Sequence, residues 1–209
     1  MGVLPRLLRS GLRRSQYRRG AVHAAKSVAI VWLGLAALLA PAQAEIATAP
    51  VAGVATSLLA QPRQAGSGRY TWWGFDVYQA SLWVEPGFDA AALARQRYAL
   101  DLQYLRNFKG RDIAQRSIDE MRRVGPFSEA QARNWLGAME RLFPDVSSGD
   151  RLTGVHLPGR GAQFYANGKP RGEIADPEFA RLFFGIWLSE QTSAPQLRLT
   201  LLGQSPTAR

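Results

Sequence analysis

From Gly68 onward the hydrophobic pattern switches between a period of two and a period of three to four, and the switches predict the elements. Tyr70 to Val84 is dense in aromatic and β-branched residues and predicts strand. Gly74 divides it into two strands or a bulge, and Glu85-Pro86-Gly87 ends it with turn chemistry. Arg97 to Phe108 alternates. Tyr98, Leu100, Leu102, Tyr104 and Arg106 share one face, and Ala99, Asp101, Gln103 and Asn107 share the other. That pattern predicts an antiparallel strand solvated on one side.

The period then lengthens. Arg111 to Val124 predicts a helix with Ile113, Ala114, Ser117, Ile118 and Met121 on its inner face, and Asp119-Glu120 on solvated surface. Gly125-Pro126 stops it. Ser128 with Gln131 forms a capping box for a second helix, which carries Ala132, Trp135, Leu136, Met139, Leu142 and Phe143 in a stripe up to Pro144. A strand follows at Arg151 to Leu157. Residues 162–166 and 169–174 then form a hairpin around Asn167-Gly168, a dipeptide suited to a type I′ turn. Asp176 caps a third helix with Pro177 at its first position, and Phe179, Leu182, Phe183, Ile186 and Trp187 form its core stripe. Pro195 to Leu202 predicts a short last helix. The order of strands, two helices, strands and helix is that of an α+β fold, with helices laid on an antiparallel sheet.

Composition changes the picture mainly at the N-terminus. The 209 residues carry 26 Lys and Arg against 16 Asp and Glu, a net charge of +10, with a pI near 10.8. A balance this basic raises nucleic acid or an anionic membrane as partner. Residues 1–44, however, hold Arg6, Arg9, Arg13, Arg14, Arg18, Arg19 and Lys26 and no acid, so +7 of the charge belongs there. Val28 to Ala40 is an apolar run, followed by Pro41-Ala42-Gln43-Ala44. A basic segment, a short apolar segment and a small-residue site are the layout of a secretory signal peptide, with cleavage expected between Ala44 and Glu45. The apolar run falls short of the roughly 18–20 residues that span a bilayer. Residues 1–44 are therefore expected to be a signal peptide, residues 45–67 a flexible Ala-, Pro-, Gly- and Ser-rich leader, and residues 68–204 the folded domain. The mature protein is expected to be periplasmic or secreted, with no stable membrane span after cleavage. Its charge of +3 over 165 residues, without a basic groove, points away from nucleic acid.

The chemistry available is narrow. There is no cysteine, and His23 and His156 are the only histidines, so disulfides, thiolate chemistry and a His-rich metal site are excluded. No metal or cofactor is expected. His156, beside Val155 and Leu157, reads as a satisfied or surface residue rather than a catalytic one. One constellation points to a ligand. Tyr104 and Arg106 end the apolar face of the strand Arg97–Phe108, and a guanidinium facing a core needs an anion or the sheet's rim. Two readings follow: an Arg snorkelling outward at the rim, or an apolar cleft with Tyr and Arg at its mouth, suited to an apolar ligand bearing a carboxylate or phenolate.

Several segments together resemble the chalcone isomerase-like family in its exported bacterial branch. They are Gly66-Ser67-Gly68-Arg69, Phe75-Asp76-Val77-Tyr78-Gln79-Ala80-Ser81-Leu82-Trp83-Val84, Phe143-Pro144-Asp145-Val146, and the stretch from Asp176 through Phe183-Phe184-Gly185-Ile186-Trp187-Leu188 to Thr192-Ser193-Ala194-Pro195. The resemblance runs from about residue 66 to 203. It implies an open-faced β-sandwich, a large antiparallel sheet covered by a layer of helices with a cleft between. In the plant isomerases of this family an Arg, a Thr and a Tyr in the cleft organise ring closure of a chalcone phenolate. By position Arg69 stands for that Arg, one residue short of the family's spacing, Tyr78 stands where the Thr belongs, and Ser193 falls near a pocket Ser or Thr. These departures point away from isomerase activity. Relatives on the same fold bind fatty acids through an Arg and a Tyr, a task Tyr104 and Arg106 suit. The expected ligand-binding set is therefore Arg69, Tyr78, Tyr104, Arg106 and Ser193. The leading expectation is non-catalytic binding of a small apolar acid. The alternatives are an intramolecular lyase or isomerase, and a purely structural domain of the cell envelope. A cleft with an inward-facing Arg separates the first two from the third, which places Arg69 and Arg106 in solvent.

Overall fold

The sheet is a six-stranded antiparallel meander whose strands lie side by side in chain order. A computed structural model describes residues 57–204. The expected signal peptide, its cleavage point at Ala44 and Glu45, and leader residues 45–56 lie outside the described residues. The strands are β1 (Arg63–Trp72), β2 (Phe75–Val84), β3 (Tyr98–Tyr104), β4 (Arg151–Leu157), β5 (Gly161–Ala166) and β6 (Lys169–Ile174). Helices α1 (Gly110–Val124) and α2 (Glu129–Leu142) fill the connection between β3 and β4, while α3 (Pro177–Leu188) and α4 (Pro195–Leu201) follow the sheet. The expected α+β fold is the observed one.

Local chemistry sets the boundaries. Ser128 and Gln131 form a reciprocal capping box at α2. Asp176 accepts from the backbone N–H groups of Glu178 and Phe179 at the start of α3, and also from the Trp135 indole at 2.8 Å, so one carboxylate caps α3 and fastens α2 to it. Two hairpins turn through two residues. Asn167-Gly168 joins β5 to β6, and Trp73-Gly74 joins β1 to β2. The long aromatic segment is thus two strands with a tight turn at Gly74.

The four α-helices among the described residues cover the same sheet face. Leu82 opposes Leu100 and then Gly154, and Ala80 opposes Leu102 and then Leu152, so residues of three strands form apolar rows beneath Phe164, Phe183 and Phe184. The stripe Phe179, Leu182, Phe183, Ile186 and Trp187 is buried throughout, as core spacing predicts. Helix α4 lies directly on β1. A Cβ at Gly66 would stand 1.9 Å from the Thr200 carbonyl oxygen, and one at Gly68 would stand 2.8 Å from Leu197 Cδ1. The two glycines permit that approach.

Two expectations need correction here. First, residues 63–67 are strand rather than flexible leader, and Leu59 is buried. The small residues Ala65 to Gly68 carry no hydrophobic alternation because α4, not large side chains, fills the space above them. Second, the back face of β3 is not solvated. Leu58 and Leu59 pack there with Trp83, Ala99, Val155, Leu157 and Tyr165. Beside them Asp101 is fully buried, with Thr153 Oγ1 donating to it at 2.7 Å and the Arg151 guanidinium 2.9 Å away. That guanidinium is close but out of line, so Asp101 Oδ2 and Arg151 Nε make no hydrogen bond among the described residues. Burial pushes the Asp101 carboxyl up to about 6, against the pull of Arg151 and Thr153.

Candidate functional site

A cavity of about 350 Å³ opens between the β1 end of the sheet and helices α1 and α3. That volume falls within the range of small-molecule sites. Its sheet wall comes from Tyr70 and Trp72 of β1, Val77 and Tyr78 of β2, and Leu102 and Tyr104 of β3. Val77 is an extra residue in β2, since Tyr70 pairs with Tyr78 and Thr71 with Asp76. This bulge brings Val77 and Tyr78 to the cavity together, whereas strict alternation would allow only one of them. The helix wall comes from Ile113, Arg116, Ser117 and Glu120 of α1 and from Phe183, Ile186 and Trp187 of α3, with Ser193 and Ala194 at the rim.

The wall is mostly aromatic. Tyr78 stacks on Tyr70 at 5.1 Å and meets Tyr104 edge-on at 6.1 Å. The Trp187 indole N–H donates to the Tyr78 hydroxyl at 2.9 Å. Burial raises the Tyr78 phenol far above its ordinary range, outweighing the Trp187 hydrogen bond that lowers it, and burial also raises Tyr104. Both therefore stay neutral phenols that can donate a proton in a hydrogen bond.

The polar corner belongs to α1. Arg116 and Glu120 stand one helical turn apart and pair at 2.5 Å. The Glu120 carboxylate is nearly buried, while Arg116 is mostly exposed at the mouth. Arg123 approaches the other Glu120 oxygen at 3.7 Å. Two guanidinium groups thus face one carboxylate, which leaves spare N–H donors on Arg116, while Asp112, 3.5 Å from Arg111, adds a second carboxylate to the lining. No group of His, Asp or Glu side chains able to hold a metal occurs among the described residues.

The structure brings Tyr78, Tyr104 and Ser193 of the expected set together around this cavity. It does not bring Arg69 or Arg106. Arg69 alternates with Tyr70 and so lies on the opposite sheet face, paired with Asp76 at 2.6 Å. Strand β3 ends at Tyr104, so the alternation that would have turned Arg106 inward stops short of it. Arg106 is exposed and lays its guanidinium over the Phe75 ring at 4.6 Å. Both arginines therefore meet solvent, as expected of a purely structural domain. The cleft expected by the ligand-binding readings is also there, and its arginine is Arg116. Glu120, expected on solvated surface, points into the cavity. Its signal was in the sequence: Ile113, Ser117, Glu120 and Val124 follow one helical line beside Ala114, Ile118 and Met121. His156 lies away from the cavity. It is buried and stacked on Tyr98 at 4.7 Å, with Nδ1 2.7 Å from the Gln96 carbonyl, and burial lowers its pKa.

An antiparallel sheet covered on one face by helices, with a tyrosine-lined cavity between the layers, defines an open-faced sandwich with a small-molecule cleft. The chain belongs to the chalcone isomerase-like family, whose model matches residues 63–203. An uncharacterized protein of Haemophilus influenzae is 30% identical over 140 residues, covering 67% of each chain. Among solved structures, a fatty-acid binding protein of Arabidopsis thaliana shares the fold with a TM-score of 0.54 at 14% identity, covering 68% of this chain and 87% of its own. No helix among the described residues is long and apolar enough to cross a membrane.

Proposed function

We propose that this protein is an exported carrier or sensor that binds a small apolar acid in the cavity between sheet and helices without chemically changing it. The observation that carries the reading is the composition of the cavity wall. Aromatic and aliphatic side chains surround about 350 Å³, and Arg116 stands at the mouth with donors to spare beyond Glu120. An apolar chain fits the wall, and a carboxylate or phenolate fits the Arg116 corner, with Tyr78 and Tyr104 as neutral donors. The fatty-acid binding of the Arabidopsis structural neighbour is of the same chemical kind. Turnover is disfavoured because Arg69, the residue the family resemblance sets in the catalytic role, lies on the far sheet face.

The test is native mass spectrometry of the protein recovered after export, with organic extraction of anything bound. A stoichiometric apolar acid, absent from an Ile186→Trp variant that fills the cavity, is the expected result. An empty cavity together with no uptake of added fatty acid sinks the reading. Cyclisation of a chalcone well above its spontaneous rate replaces it with the intramolecular lyase.

A further inference from the structure

The three exposed large apolar side chains among the described residues sit together at one hairpin tip: Trp72, Trp73 and Phe75, with Trp73 83% exposed. Neither core packing nor turn chemistry accounts for Trp73. The two tight hairpins have nearly the same backbone, φ +51° and +77° at Trp73-Gly74 and +49° and +77° at Asn167-Gly168. The left-handed conformation suits Asn, whose short side chain bonds locally, and disfavours a bulky ring. Asn167 also ties its turn to the start of the neighbouring strand β4, accepting from the Arg151 backbone at 2.8 Å and donating to Asp150 at 2.9 Å. Among the described residues Trp73 gains only an edge contact with Trp72 at 6.1 Å. A strained backbone holding a large apolar ring in water points to a partner surface.

Its surroundings say which kind. Arg106 stacks on Phe75 and has no carboxylate partner among the described residues, whereas Asp76 neutralises Arg69. Indole rings beside an unpaired guanidinium are the combination that partitions into the headgroup zone of a bilayer, with the rings at the acyl boundary and the cation on anionic headgroups. Trp72 also lines the cavity, so the tip stands at the cavity mouth. We infer that the Trp72–Phe75 hairpin tip docks the protein on an anionic lipid bilayer, with the cavity mouth set against the membrane. The inference goes beyond the ligand reading and does not depend on it, because docking requires no occupied cavity.

Trp73→Asn tests it, since Asn suits the turn and keeps the fold; an unchanged or raised Tm confirms that the comparison is fair. The full chain is mixed with phosphatidylglycerol–phosphatidylethanolamine vesicles, and the emission of Trp73→Asn is subtracted from that of the wild type. The difference reports Trp73 and its neighbour Trp72, 6.1 Å away, and removes the other indoles, and the same measurement on the protein cleaved after Ala44 separates the tip from residues 28–40. The expected result is a blue-shifted difference emission, quenched by brominated phosphatidylglycerol. Arg106→Gln should weaken that quenching about fivefold, in line with roughly 1 kcal/mol for one basic residue at an anionic surface. Difference emission that stays water-like with vesicles present overturns the inference. So does self-association that Trp73→Asn abolishes while vesicles leave the indole unchanged, which would assign the tip to a protein partner.

Discussion

Trp187 donates its indole N–H to the hydroxyl of Tyr78 at 2.9 Å, joining α3 to β2 across the cavity wall. Truncating one partner strands the other's polar group in a buried site. Tyr78→Phe should therefore cost about 1–3 kcal/mol in urea unfolding. The double variant Tyr78→Phe/Trp187→Phe should cost less than the sum of the singles by about 1 kcal/mol. Strict additivity would show that the bond carries no coupling.

The two classes of arginine should separate in a ligand assay. Arg116→Ala should weaken retention of a fluorescent fatty acid tenfold or more, as loss of a charge-assisted hydrogen bond implies. Arg69→Ala should leave retention unchanged and shift stability by less than about 1 kcal/mol, since its pair with Asp76 is exposed. The reverse pattern would restore Arg69 to the site.

Asp101 predicts a pH dependence of unusual sign. Its carboxyl is raised by burial from 3.8 to about 6, so the folded state holds the proton more tightly than the unfolded chain. The corresponding stability is fully present below pH 3.8 and is lost as pH rises through 6, by roughly 2–3 kcal/mol at most. His156 acts oppositely: burial lowers its pKa, so its contribution is present above 6.5 and lost as pH falls. Urea unfolding of the wild type and of Asp101→Asn between pH 4 and 7 removes the His156 part by difference. The wild type should lose stability relative to the variant as pH rises over that window. A flat difference would mean that Asp101 is ionised throughout.

Gly66 and Gly68 should differ in their tolerance of a methyl group. At Gly66 the obstacle is the backbone carbonyl of Thr200, so Gly66→Ala should cost about 3 kcal/mol and loosen α4 in hydrogen exchange. At Gly68 the nearest atom is the flexible end of Leu197, so Gly68→Ala should cost about 1 kcal/mol. Equal costs would mean that α4 does not bear on Gly66.

The fold was legible because its signals are local. Ser128 with Gln131, Asn167-Gly168, Asp176-Pro177 and the Phe179 stripe each mark their element without help from distant residues. The site was legible only where alternation continued. Tyr78 and Tyr104 follow their strands inward, but β3 stops before Arg106, and no pattern announces where a strand ends. Ala99 and Asp101 read as solvated because the side chains that cover them, Leu58 and Leu59, come from a stretch that looked like linker. Glu120 reads as an ordinary surface charge in the sequence, and nothing in the pattern singles out Arg116. Only the path of α1 over the sheet decides that the boundary of its buried stripe meets a cavity rather than water.

Helix α4 lies on the glycines of β1, so among the described elements β1 is covered by the helix furthest from it in sequence. That contact is among the longest-range in the chain, and such contacts delay folding because the intervening chain must close first. A chain delivered in order from its N-terminus keeps the small-residue face of β1 bare throughout delivery. The cover arrives only with α4, which makes delivery of Pro195–Leu201 the step that covers β1.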